Sequence, residues 1–168
     1  VARKSVAQPK GGRRHTLDEI DRRILGMLQS DATRPLAEMA EAAGLSTTPC
    51  WRRIQQMEER GLIKRRIAVL DREQLNANVT VFIAIRTSQH TAAWIELFRR
   101  ATHDIPEIVD VYRMSGEIDY LIRAFVPDIA SYDALYKKLI ARIDVNDVTS
   151  MFAMEEIKST TAVPLGFV

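Results

Sequence analysis

The chain reads as an α+β protein, an N-terminal winged helix-turn-helix followed by a C-terminal ferredoxin-like βαββαβ domain. Three observations predict it. Apolar residues recur at helical spacing from Leu17 to Met57, and the run is broken at Gly44-Leu45-Ser46, where one helix can stop and the next begin. The period then changes, because Val79, Val81, Ile83 and Ile85 alternate as a strand does. Between residues 79 and 158 the strand-like and helix-like segments follow in the split order β, α, β, β, α, β.

Residues 1–15 are rich in Lys, Arg, Gly and Gln with little to bury, which predicts a basic, flexible tail. Thr16 is placed to N-cap the first helix, with Glu19 completing a capping box; Ile20, Ile24, Leu25 and Leu28 form its apolar stripe down to Ser30. A turn over 31–34 leads to a second helix, Leu36 to Ala43, which Gly44 can stop in the left-handed conformation. Ser46 is a good N-cap for the third helix, which runs from Thr47 towards Arg60 and stops at Gly61. Leu62 and Ile63 fold back on the three helices, and Lys64 to Leu70 is expected to form the short hairpin or strand of a wing. The pattern breaks over 71–78. This marks a hinge between a helix-turn-helix domain at 16–70 and a second domain at 79–168.

In the second domain Trp94, Leu97, Phe98 and Ala101 follow helical spacing, while Ile108 to Met114 and Ile118 to Val126 read as strands joined at Ser115-Gly116-Glu117. Pro127 ends the strand and Asp128 caps a helix with Tyr132, Leu135, Tyr136, Leu139, Ile140 and Ile143 on one face. A last strand is expected over 148–158.

With 168 residues, 46% of them hydrophobic, the chain can bury a core, and its longest apolar run falls short of the roughly 18 residues that span a bilayer. A soluble, cytoplasmic protein is expected. The single Cys50 excludes an internal disulfide and a cysteine cluster for zinc; His15, His90 and His103 have no metal-ligand spacing. No nucleophile elbow, phosphate loop or glycine-rich dinucleotide turn is found, so neither an enzyme nor a cofactor site is expected. The net charge of +2 conceals an asymmetry: residues 1–75 carry fifteen Lys and Arg against ten Asp and Glu, and the remainder nine against twelve. Only the first half is suited to a polyanion.

The third helix has two sides. Cys50, Ile54 and Met57 fall at i, i+4 and i+7 and turn inward, whereas Thr48, Arg52, Gln55 and Gln56 point away, with Trp51 and Arg53 on the flanks. Such hydroxyls, amides and guanidinium groups read base edges and hold phosphates. Ser46 and Thr47 are candidates for phosphate at the helix N-terminus, Thr48, Arg52 and Gln55 for bases, and Trp51 and Arg53 for the backbone. Lys64 and Arg65, with Arg66, would lie along the DNA; a solvated charge run is the alternative. Cys50, turned inward, is expected to be a small hydrophobe with a raised pKa.

At Leu17-Asp18, Asp21, Ile24-Leu25, Leu28, Gly44-Leu45-Ser46 and Glu58 to Ile63 the chain resembles the Lrp/AsnC family of transcription regulators. Ser115-Gly116-Glu117-Ile118-Asp119-Tyr120-Leu121 is similar to the family's signature turn, and Met154-Glu155-Glu156-Ile157-Lys158 to its closing strand. The likeness covers nearly everything from Leu17 to Lys158. Thr47-Thr48-Pro49-Cys50-Trp51-Arg52-Arg53 and Asp147-Val148-Thr149-Ser150 are also similar to the subgroup that senses cysteine. The resemblance implies a homo-oligomer, a dimer assembled further into an octamer or other multimer, that binds palindromic double-stranded DNA. It also implies a small amino-acid effector at an oligomer interface, at Ser115, Gly116, Asp119 and Tyr120. A glycine there allows positive φ and close approach, and the Asp119 carboxylate can accept bonds from an α-ammonium. An architectural, nucleoid-type protein with little sequence choice is the alternative.

Overall fold

The computed structural model describes residues 16–167, so the basic tail expected over 1–15 lies outside the described residues. The described residues form two compact units, one of residues 16–68 together with 159–167, the other of Val69–Lys158. The second domain, expected over 79–168, thus ends at Lys158 as a compact unit, and the segment after it joins the helices. There Gln29 and Val163 exchange two hydrogen bonds, Val163 N–H to Gln29 Oε1 at 2.6 Å and Gln29 Nε2 to Val163 O at 3.2 Å. Leu165 then packs against the helical core.

That core comprises Leu17, Ile24, Leu25, Met39, Ala40, Ala43, Cys50, Ile54 and Met57, contributed by α1 (Glu19–Ser30), α2 (Leu36–Ala43), α3 (Thr47–Glu59) and the residue leading into α1. The first helix is capped by Asp18 and not by Thr16. Leu17 is drawn into the core, and the box closes between Asp18 and Asp21: the Asp21 N–H donates to Asp18 Oδ1 at 2.7 Å, the Asp18 N–H to Asp21 Oδ2 at 3.4 Å. Gly44 and Gly61 both sit at φ 72°, where a side chain would be strained. Around each, the last carbonyls of the preceding helix are satisfied, Ala40 and Glu41 by Leu45 and Gly44, Met57 and Glu58 by Leu62 and Gly61.

The expected wing is absent as a hairpin or strand. Residues 64–70 have no regular secondary structure, and Ile67, Val69 and Leu70 are exposed, because no neighbouring strand among the described residues offers them a ladder. The hinge segment is also more ordered than a bare linker, since Asp71 accepts from the Glu73 N–H and Gln74 Nε2 within a turn over 72–76.

In the second unit β1 (Val79–Arg86), β2 (Ile108–Arg113), β3 (Tyr120–Val126) and β4 (Asp147–Phe152) form one antiparallel sheet in the order β2-β3-β1-β4. With α4 (Ala92–His103) and α5 (Ile129–Ile140) this is the ferredoxin-like arrangement. The period-2 pattern divides the sheet. Val81, Ile83, Ile85, Tyr120, Ile122, Ala124 and Val126 are buried with Trp94, Phe98, Leu135 and Leu139, while Leu121, Arg123 and Phe125 alternate onto the other face. Leu97, which follows helical spacing with Trp94, Phe98 and Ala101, is exposed. The last strand stops at Phe152 instead of Lys158. Its final ladder bond runs from the Ala153 N–H to Thr80 O, one residue from the start of β1, and among the described residues 153–158 form no further ladder. Met154 and Ile157 are consequently 97% and 89% exposed.

Candidate functional site

The outer face of α3 follows from its apolar residues. Burying Cys50, Ile54 and Met57 aims Thr48, Arg52 and Gln56 at solvent, and Thr47 and Trp51 are exposed beside them. Pro49 is tolerated because it falls in the first turn, where its missing N–H would have no intrahelical acceptor. Ser46 is the N-cap residue, yet its hydroxyl makes no capping bond. A hollow of about 340 Å³ lies along this face, lined by Thr16, Leu17, Pro49, Arg52, Gln56 and Arg60 among others.

The positively charged candidates divide by what they touch. The Arg53 guanidinium donates to Asp18 Oδ2 at 2.6 Å and Asp21 Oδ1 at 2.8 Å, so it ties α3 to the capping box of α1. Bonds from the Asp21 N–H first, and from Arg53 second, hold the Asp18 carboxyl below its ordinary value; Asp21 and then Asp18 push the Arg53 guanidinium up. This clamp was missed in the sequence, although the Asp18 and Asp21 spacing is its visible trace. Gln55, read as a base contact, is half-buried and donates to Glu58, which also accepts from Arg66. Arg52, Arg60, Lys64 and Arg65 are exposed and enter no ion pair among the described residues. Burial raises the pKa of the Cys50 thiol, which is fully enclosed.

In the second unit three loops meet at one end of the sheet. Gly116 adopts φ 130°, a conformation that favours glycine. Asp119 Oδ2 accepts from the Thr87 N–H at 2.8 Å, and its other oxygen lies 3.9 Å from His90 Nε2. The loop at 143–146 is pinned to the same region, because Trp94 Nε1 donates to Asp144 O, Gln89 Nε2 to Asp144 Oδ2, and the Ser88 N–H to Asn146 Oδ1. Ser115 and Gly116 are exposed on the turn. Tyr120 is not gathered with them at the surface. It is 5% exposed, and its ring packs 4.4 Å from that of Phe98 and 5.7 Å from that of Trp94. Period-2 alternation sends Tyr120 beneath α4 when Asp119 turns the other way.

A helix-turn-helix with a polar, cationic outer face, joined to a separate ferredoxin-like domain, defines a DNA-binding transcription regulator with its own regulatory domain. The AsnC-type helix-turn-helix domain matches residues 17–58, and the Lrp/AsnC ligand binding domain matches residues 80–163. The chain belongs to the Lrp/AsnC family.

Two relatives are the glutamate uptake regulatory protein of Zymomonas mobilis and the DNA-binding transcriptional activator DecR of Escherichia coli. The first is 44% identical over 89% of this chain and 91% of its own, the second 43% over 89% and 99%. Among solved structures, an AsnC family transcriptional regulator from Agrobacterium tumefaciens superposes with TM-score 0.87 at 54% identity, covering 90% of this chain and 99% of that one. A transcriptional regulator from Neisseria meningitidis in complex with L-Met gives 0.86 at 32% identity over the same shares.

Proposed function

We propose that the protein is a sequence-specific transcription regulator of amino-acid metabolism that reads DNA with α3 and answers to a small amino acid. The observation that carries the first part is the division of α3, three residues sealed in the core and a solvent face of Thr48, Arg52 and Gln56. Thr48 and Arg52 meet base edges. Ser46 and Thr47 meet phosphate at the helix N-terminus, and Trp51, Lys64 and Arg65 lie along the backbone. Arg53 acts by holding α3 to α1. Gln55 reaches a base only by leaving Glu58.

The open face of the sheet carries Tyr112 and Met151, with Met154 and Ile157 in the segment after β4, all exposed. Apolar surface of this kind supports pairing with a second copy, and a paired molecule suits half-sites one helical turn, ~34 Å, apart or a multiple of it. Assembly beyond the dimer, an octamer included, belongs to the same reading. The effector sits near Ser115, Gly116 and Asp119 at an interface between subunits, with cysteine the first to test and the other amino acids after it. The relative bound to L-Met supports an amino-acid ligand. The cytoplasm, beside the nucleoid, is the corresponding location, and among the described residues no helix is long and apolar enough to cross a membrane.

The test is fluorescence anisotropy on promoter DNA and on random duplex as salt is raised. Sequence-specific binding retains a difference between the two duplexes at high salt, whereas the architectural alternative loses both equally. Arg52→Ala is expected to cost ~1–3 kcal/mol and to relax preference at one operator position. Uniform weakening on every sequence reassigns Arg52 to phosphate. A thermal-shift series of the twenty amino acids tests the effector, and silence from all of them removes it.

A further inference from the structure

We propose that the cleft between α4 and the edge strand β2 binds a small organic acid with a hydrocarbon body. The cleft measures about 520 Å³, inside the ~300–1,000 Å³ typical of small-molecule sites. Its floor is apolar, formed by Phe98, Ile108 and Tyr120. Its rim is cationic. Ile95, Arg99, Thr102 and His103 occupy one face of α4 and line it from one side. Arg113 lines it from the other, and its pairing with Tyr120 across the ladder places it on the helix-covered face of the sheet, where an apolar residue is the ordinary choice.

Neither Arg99 nor Arg113 enters an ion pair among the described residues. The one carboxylate in the lining, Asp110, is held by Arg123 at 2.5 Å, and the Thr102 hydroxyl already donates to the Phe98 and Arg99 carbonyls. Two guanidinium groups thus share a recess whose own anion is engaged elsewhere. A carboxylate between them relieves their repulsion through charge-assisted hydrogen bonds, and the apolar floor takes the hydrocarbon. Inorganic phosphate satisfies the rim but not the floor. The cleft adjoins the 115–119 turn through Arg113 and Tyr120 but needs no α-ammonium contact, so it stands apart from the amino-acid reading.

The experiment is calorimetric titration of the full chain with 4-methylpentanoate and 3-phenylpropanoate, with 4-methylpentanamide and inorganic phosphate as comparisons. The expected result is saturable binding of both acids, at least ~10-fold weaker for the amide and for phosphate, and weakened at least ~10-fold by Arg99→Gln and by Arg113→Gln. Asp119→Asn is expected to leave it unchanged. Trp94 emission reports whether each variant retains its core, and Arg99→Gln, on an exposed helix position, carries the test should Arg113→Gln fail to fold. Equal binding of amide and acid, equal binding of phosphate, or acids that bind the arginine variants as well as the parent overturns the proposal. So does the absence of saturable binding by either acid.

Discussion

Ile54→Ala is expected to unfold the helical unit while leaving the sheet unit intact. Ile54 is 3% exposed in a nine-residue core, and with Cys50 and Met57 it sets which side of α3 faces solvent. Removing its three outer carbons costs their transfer free energy and leaves a cavity, about 3 kcal/mol in a site closed on all sides. A single core of this size rarely supplies more than about 3–5 kcal/mol, so little stability remains. With a urea dependence of about 1 kcal/mol per molar, the midpoint falls by about 3 M. The chain has two tryptophans, one in each unit: Trp51 on α3 and Trp94 in the sheet core. W94F therefore reports on the helical unit and W51F on the sheet unit. In the Ile54→Ala background the Trp51 transition is expected to collapse towards zero urea, and the Trp94 transition to stay in place. Among the described residues each unit encloses a core of its own, which is the reason. Equal movement of both transitions, or a Trp51 shift of only a few tenths of a molar, refutes the reasoning.

Acid should weaken the Asp18 clamp in a definite window. Because its folded pKa is depressed below the ordinary aspartate value of about 3.8, Asp18 contributes stability above that pH and loses it as pH falls through the lower folded value. Asp18→Asn is expected to flatten the acid limb of the Trp51 transition below about pH 3.8 without moving that of Trp94; an unchanged limb counts against the clamp. Cys50, enclosed and pushed up in pKa by burial, should react with a disulfide reagent at neutral pH at least ~10-fold more slowly in the native chain than in urea, and equal rates would show that α3 opens freely. Leu165→Ala, or truncation after Lys158, is expected to lower the stability of the helical unit by ~1–2 kcal/mol through lost apolar burial and the lost Gln29 bonds. A midpoint shift at Trp94 instead would place the C-terminal segment with the sheet.

Local chemistry was legible in the one-dimensional chain wherever a residue acts on its neighbours. Gly44 and Gly61 stop helices because each takes φ 72°, Asp128 caps α5 through the Ser131 N–H, and Gly116 turns at φ 130°. Cys50, Ile54 and Met57 share a face because helical periodicity requires it, which left Thr48, Arg52 and Gln56 outside. The same periodicity determined βαββαβ and, with it, the sheet order. What the tertiary structure decided were pairings between residues far apart in sequence, since nothing in a local pattern states which partner a long side chain will find. Arg53 lies on the flank of α3 by spacing, and carboxylates 32 and 35 residues earlier take its guanidinium. Tyr120 belongs to the signature turn by sequence, yet the ladder register carries it under α4. Met154 to Lys158 is similar in sequence to a closing strand but makes no ladder pair among the described residues, and Leu165 reaches the helical core because Gln29 holds Val163 across 134 residues. Spacing sets the direction of a side chain, and the fold sets what it meets.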